Sequence, residues 1–138
     1  MLVRFESRNT LSPLLDELFD TPFDSPVAEG SAFAPPVDVA DGKDELVVVA
    51  ELPGVKKEDV KISLEKGVLA LSGERKREPV SGKFREISRG RPEGKFARTI
   101  RLPHEVDAAR VTAELSDGLL KIVLPRAEAA RAHEITVR

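Results

Sequence analysis

Two histidines, His104 and His133, are the only side chains that titrate near neutrality by default, and the chain has no cysteine. A Ser-His-Asp arrangement would need one of them as general base, oriented by a carboxylate and within reach of a hydroxyl. His104 follows Pro103 at the end of a predicted strand and His133 lies in a terminal tail, so neither sits on the rigid element that catalysis requires. Both are expected to be exposed loop residues. Two histidines without a thiolate also exclude multi-His and Cys zinc sites, so no metal is expected. No Gly-x-x-x-x-Gly-Lys-Ser/Thr occurs; Gly90 and Gly94 are spaced wrongly, and Lys95 is followed by Phe96. Gly-x-Gly-x-x-Gly is missing too, which removes the usual phosphate cradles. The expectation is a protein that is not an enzyme and needs no cofactor.

Charge offers one further chemistry. Residues 75–101 carry ten cations against Glu78, Glu86 and Glu93, a net of +7. A nucleic-acid-binding β-module would use such a stretch together with stacking platforms. Only Phe84 and Phe96 are available there, and the alternation of the sequence puts Phe96 on an apolar strand face. The whole chain is −2, so everything outside the stretch sums to −9. The basic residues are therefore expected to meet acidic surface within the protein's own assembly, with no nucleic-acid partner.

The elements that must position these residues fall into three zones of a 138-residue chain, 41% hydrophobic and 33% charged. Residues 1–36 hold five of ten prolines and four of six phenylalanines, at net charge −4. Proline at that density interrupts helix and sheet, yet a purely solvating tail would be poor in Phe and Leu. The zone reads as a flexible arm that is also sticky. Within it Ser12 caps and Pro13 opens a short helix, with Asp16 and Glu17 at the positive end of its dipole. Leu11, Leu14, Leu15, Leu18 and Phe19 gather on one face. A helix of about eight residues is too short to persist alone, so this face docks on its own domain, a partner chain or a foreign polypeptide.

Residues 37–125 read as all-β. Residues 45–51 are rich in β-branched residues on both faces, as in a buried strand, and 60–64 alternate strictly. Glu65-Lys66-Gly67 turns the chain into a return strand over 68–72. Residues 96–102 alternate with Arg98 on the apolar face until Pro103 ends the strand. Residues 111–115 alternate again; Asp117-Gly118 is a hairpin turn, and 119–124 run up to Pro125. About six short strands without long helical periods indicate an antiparallel, immunoglobulin-like β-sandwich.

Residues 126–138 form a C-terminal tail ending Glu134-Ile135-Thr136-Val137-Arg138. Ile135 and Val137 project from one side of an extended chain, a shape suited to adding to a sheet edge. The longest apolar run, residues 46–50, falls far short of the roughly 20 residues that span a bilayer. The opening residues, Met1-Leu-Val-Arg-Phe-Glu6, lack an apolar run of the length an export signal uses, so none is expected. The expectation is a cytoplasmic protein with no stable membrane insertion.

Six motifs follow one another in order: Glu51-Leu-Pro-Gly-Val55, Asp59-Val-Lys-Ile62, Ala70-Leu-Ser-Gly-Glu-Arg75, Gly94-Lys-Phe96-Ala-Arg98, Leu102-Pro103 and Ala113-Glu-Leu-Ser-Asp-Gly-Leu-Leu120. Together they closely resemble the small heat shock proteins, the α-crystallin family, over about residues 37–125, and Ile135-Thr136-Val137 resembles that family's Ile-x-Ile/Val anchor. The resemblance implies an ATP-independent chaperone, a holdase that keeps unfolding client proteins from aggregating until ATP-dependent chaperones refold them. It implies a homo-oligomer built from dimers, each formed by strand exchange through a long loop at about 80–93. Phe84, Arg85, Glu86 and Ile87 would pair with a neighbour's edge near residues 37–40, and Arg98 matches the family's dimer-interface arginine. Ile135 and Val137 would anchor in a neighbour's groove walled by Ile62, Leu64, Val111, Ala113 and Leu115. Glu93 departs from the pattern, since many members carry an aromatic there. Leu14, Leu15, Leu18, Phe19 and Phe23 are the expected client-binding residues. A co-chaperone-type adaptor on the same sandwich is a further alternative, though an adaptor has little use for a sticky arm.

Overall fold

The computed structural model describes residues 32–128 and 135–138. Seven strands form two antiparallel sheets: β1 (Val37–Asp41), β2 (Glu45–Glu51), β3 (Val60–Glu65), β4 (Val68–Arg75), β5 (Gly94–Arg101), β6 (Thr112–Ser116) and β7 (Leu119–Pro125). One sheet has the order β1-β2-β7-β6 and the other β3-β4-β5. The expected all-β sandwich is the observed fold. Two short 3-10 turns, Lys57–Asp59 and Ala108–Arg110, lead into β3 and toward β6. Alternation did not announce either of them. The second is capped by Asp107, whose side chain accepts from the Ala109 N–H.

Burial follows position in the sheet. Leu46, Val48 and Ala50 on β2 and Ile122 and Leu124 on β7 are fully buried, as are Leu69 and Leu71 on β4, because these strands are flanked on both sides. Of the four edge strands β5 alone buries its inward residues, Phe96 and Ile100; the other three cover less. Val60, Ile62 and Leu64 on β3, Val37 and Val39 on β1, and Leu115 on β6 pack against the core yet stay half-exposed.

Both predicted hairpin turns have left-handed backbone: Lys66 (φ 49°) and Gly67 (φ 74°) join β3 to β4, and Asp117 (φ 52°) and Gly118 (φ 76°) join β6 to β7. Such turns match the twist of the strands they connect. Each also accepts a hydrogen bond from a buried leucine that leaves a neighbouring strand: Leu102 N–H donates to the Gly67 carbonyl at 2.8 Å and Leu52 N–H to the Gly118 carbonyl at 2.7 Å. Proline follows each leucine, so the chain departs once its last amide has been used.

The core extends past the strands at both chain ends. Ala32 N–H donates to the Lys95 carbonyl at 2.7 Å. Phe33 bridges Phe96 in parallel fashion with ring centroids 5.6 Å apart. At the other end Arg126 N–H reaches the Asp44 carbonyl and Ala127 N–H the Glu105 carbonyl. His104, expected free in a loop, is three-quarters covered: its Nε2 lies 2.8 Å from Asp41 Oδ2, and Arg126 Nη2 lies 2.7 Å from Asp41 Oδ1. This cluster joins the end of β1 to the segments after β5 and β7.

Two outcomes follow from this packing. A Cβ at Gly73 would lie 2.6 Å from Phe96 Cζ and collide with the Asp59 carbonyl. Gly73→Ala is expected to cost about 1–3 kcal/mol and lower the thermal midpoint followed by circular dichroism. Gly82→Ala, with nothing within 4 Å, should shift stability by no more than about 0.5 kcal/mol. At Asp41 burial opposes the charged form, but the hydrogen bonds and charges of His104 and Arg126 outweigh it and hold the carboxyl below its ordinary 3.8. A carboxyl lowered by folding stabilises above its ordinary value and loses that effect as pH falls through the folded one. Asp41→Asn should therefore lower the midpoint modestly at neutral pH, with the gap to the parent chain closing below pH 3.8, as acid-titrated thermal melts would record.

Candidate functional site

Among the described residues no group of three or more His, Cys, Asp or Glu is placed to hold a metal ion, and no helix is long and apolar enough to cross a membrane. What the domain presents is apolar surface at sheet edges and one long charged loop.

The first surface lies along β3 and the run into β6. Ile62 and Leu64 point inward from an edge strand, because β3 pairs only with β4, so their faces are half-covered. Val111 and Leu115 are half-buried in the same way on the edge of the other sheet. Ala113 differs: it is exposed and contributes little apolar wall. A groove opens beside Leu64, lined by Leu102, Pro103, Val106 and Ala108 and rimmed by Lys66 and His104. Ile135 and Val137 are 87% and 91% exposed, without a partner among the described residues.

The second surface is the segment between β4 and β5, residues 76–93, which carries no strand. Phe84 is 72% exposed and Ile87 87%. Its shape comes from charges. Glu86 bonds Arg89 at 2.7 Å and also pairs with Arg77, and Glu93 lies 3.5 Å from both arginines. The Arg89 hydrogen bond first, and then the charge of Arg77, hold the Glu86 carboxyl below its ordinary value against some desolvation. Lys76 pairs with Asp59 at 2.8 Å, which raises its pKa. At the base of the loop Arg75 Nη1 donates to the Pro92 carbonyl at 3.0 Å, while its guanidinium covers the Phe33 ring at 4.7 Å. Glu93 thus serves as a counter-ion to Arg77 and Arg89.

Arg98 lies on the inward face of β5 between Phe96 and Ile100 and is half-buried. Its Nη1 donates to the Pro35 carbonyl at 3.3 Å, just before β1, and its buried Nε has no partner among the described residues. β1 has a neighbour on one side only, so its outer edge is open. The fold thus brings Arg98 to the entry of β1, and it leaves Phe84, Arg85, Glu86 and Ile87 apart from both. Leu14, Leu15, Leu18, Phe19 and Phe23 lie outside the described residues.

Sequence reading passed over Phe33, Arg75, Gly73 and the Asp41–His104–Arg126 cluster. Gly73 had a local signal, a glycine inside a strand pattern, which marks close backbone approach. The cluster had none, since its members stand 63 and 85 residues apart.

Residues 38–138 match the model of the "Hsp20/alpha crystallin family". The chain is 46% identical over 99 residues to Heat shock protein 16 of Schizosaccharomyces pombe, covering 69% of this chain and 68% of that protein. It is 38% identical over 134 residues to a 16.9 kDa class I heat shock protein of Triticum aestivum, covering 87% of each. Among solved structures it is similar to Heat shock protein 16.0 from Schizosaccharomyces pombe (TM-score 0.68, 39% identity, 77% of this chain and 99% of that one). It is also similar to a small heat-shock protein from Xylella fastidiosa (TM-score 0.62, 34% identity, 78% of this chain and 99% of that one). A sandwich with open edges, a charged strand-free loop and an exposed Ile-x-Val tail, matched over this length, places the chain in the Hsp20/alpha crystallin family, the small heat shock proteins, which are chaperones and not enzymes.

Proposed function

We propose that this protein is an ATP-independent holdase of the cytoplasm that binds unfolding proteins, limits their aggregation and passes them to ATP-dependent chaperones. The observation that carries the reading is the arm: Leu14, Leu15, Leu18, Phe19 and Phe23 alternate with Asp16, Glu17, Asp20 and Asp24. Apolar side chains spaced by charges give adaptable contact with clients of no fixed shape and keep the complex dispersed. Nothing in this scheme consumes ATP, in keeping with a sequence that has no phosphate loop.

Assembly proceeds by strand addition. Residues 84–87 pair with the open edge of a neighbour's β1, so that Phe84 and Ile87 leave water. Arg98, held beside Pro35, lies close to that junction and meets a carboxylate of the other subunit. Dimers then join through Ile135 and Val137, which fill the half-covered row of Ile62, Leu64, Val111 and Leu115 on a neighbour. Ala113, exposed and small, marks the floor of that groove.

Light scattering of a heat-labile client, warmed with this protein and without ATP, is expected to fall at near-stoichiometric amounts. Deleting residues 1–31, which spares Phe33 in the core, should abolish the effect while the domain stays folded; undiminished suppression would remove the arm from client binding. Burying Ile and Val side chains is worth about 1.5–3 kcal/mol each. Ile135→Ala with Val137→Ala should therefore weaken assembly at least about tenfold. Size-exclusion chromatography with multi-angle light scattering should show the oligomer replaced by dimers.

A further inference from the structure

The open edge of β1 has a defined pattern of backbone groups and side chains. Across the β1–β2 pairing the Glu51 N–H donates to the Pro36 carbonyl. In an antiparallel pair successive residues turn their N–H and C=O groups to opposite sides. Those of Asp38 and Ala40 therefore face β2, and those of Val37 and Val39 face the open edge. Pro36 has no N–H to give, but its backbone faces β2, so the proline leaves the open ladder intact. Side chains alternate as well: Val37 and Val39 pack inward on the core, while Asp38 and Ala40 are exposed on the outer face. Asp38 makes no ion pair among the described residues.

Residues 84–87 can meet this edge with either of two faces inward. With Arg85 and Ile87 inward, Arg85 would lie against Arg98, whose Nε is already buried without a partner among the described residues. A second cation there would be desolvated beside a like charge. With Phe84 and Glu86 inward, Phe84 joins the valine row and Glu86 brings a carboxylate toward Arg98. Arg85, exposed and without an ion partner among the described residues, then lies on the outer face with Asp38. Direction follows from the same charges. Arg98 Nη1 is held at the Pro35 carbonyl, so Glu86 must stand at the start of β1, opposite Val37. Antiparallel pairing then sets Arg85 opposite Asp38 and Phe84 opposite Val39. Parallel pairing would set Arg85 opposite Pro36 and leave Asp38 facing Ile87. In the antiparallel register Val37 and Val39 sit in hydrogen-bonded pairs. Arg85 and Asp38 form the non-hydrogen-bonded pair between them, where side chains approach most closely. Glu86 gives up Arg77 and Arg89 on moving, and Glu93 stays as counter-ion to both.

We propose that Arg85 of one chain pairs with Asp38 of its neighbour, reciprocally across a two-fold dimer, and that this pair fixes the face, direction and register of the exchanged strand. It presupposes the strand addition of residues 84–87 and adds a selector to it, since only chains with matched charges at both positions exchange. One such pair is weak on an exposed surface. Two-fold symmetry makes every match or mismatch count twice.

The chain has no cysteine, so disulfide trapping in the full-length protein reads the register directly. Arg85→Cys mixed with Asp38→Cys is expected to cross-link at least about tenfold faster than Arg85→Cys mixed with Ala40→Cys, because diagonal neighbours stand too far apart for a disulfide. Ile87→Cys should trap with Pro36→Cys; trapping with Ala40→Cys instead marks a parallel strand and overturns the assignment. Arg85→Asp and Asp38→Arg should each weaken the dimer about tenfold in native mass spectrometry, as two repulsive pairs replace two attractive ones. Mixed together, these two variants should form heterodimers. The chain carrying both changes should pair with itself like the parent and exchange no subunits with it. Dimers indifferent to both reversals, or random mixing of the two variants, overturn the charge lock. Phe84→Asp with Ile87→Asp separates the two levels. Dimers lost in that variant while the charge reversals stay silent remove the lock alone, and dimers that survive it remove the strand addition as well.

Discussion

Phe96 occupies its place only because position 73 has no Cβ. The two residues face each other across the β4–β5 pairing, and the ring takes the volume a side chain at 73 would need. Much hangs on that one fit. Among the described residues Phe96 is the largest fully buried side chain, and Phe33 packs against it with a tilted ring, with Arg75 over the outer face of Phe33. The aromatic stack fixes where the arm meets the sandwich. Arg75 in turn fixes the end of the loop through Pro92. Arm and loop, the two parts that carry the proposed chaperone function, are therefore referenced to the same buried ring.

A two-layer sandwich of seven strands has four edge strands, here β1, β6, β3 and β5. Edges expose unpaired backbone groups and half-covered apolar rows, which ordinarily invite aggregation. Globular domains blunt them with charge, short strands or covering loops. This chain leaves Ile62, Leu64, Val37 and Val39 partly open. In the proposed assembly, residues 84–87 and 135–137 close these edges on another copy, so that specific self-association does the work of edge protection. Where no copy covers them, the open rows are proposed to accept a non-native polypeptide.

Much of the sandwich was legible because its signals are local. Strict alternation located β3, Asp117-Gly118 and Lys66-Gly67 located their turns, and prolines at 103 and 125 located strand ends. Val111 fell just outside β6, where a 3-10 turn consumes the residues before Thr112. Ala113 came to the groove through the family resemblance, on the alternating run 111–115; on β6 it is exposed, whereas Leu115 two residues on is half-buried. Contacts between distant parts of the chain were illegible. Nothing in the sequence around Asp41, His104 or Arg126 encodes that three loop ends converge, and Phe33 looked like one more arm phenylalanine until its ring was placed on Phe96. Ile135 and Val137 stood out by their two-residue spacing as well as by resemblance, while Phe84 and Ile87, three apart in a segment without a strand, came from motif resemblance alone.

The loop between β4 and β5 shows how a stiff frame can carry a soft element. Eighteen residues without a strand or helix are long for a connection inside a compact domain. Its ends are set by strong local geometry: Arg75 on Pro92 at one side and Gly94, with φ 100°, at the other. Its interior is held by exposed ion pairs among Arg77, Glu86, Arg89 and Glu93, each worth little in water. Each glutamate is shared between the two arginines, so the four charges favour one arrangement through several weak contacts. Had Glu93 been an aromatic, the loop would have gained a packed contact and lost a shared counter-ion, and moving it would have required breaking apolar burial. With Glu93 in place, the loop interior is held by ion pairs that are each weak in water, while β4 and β5 keep their register.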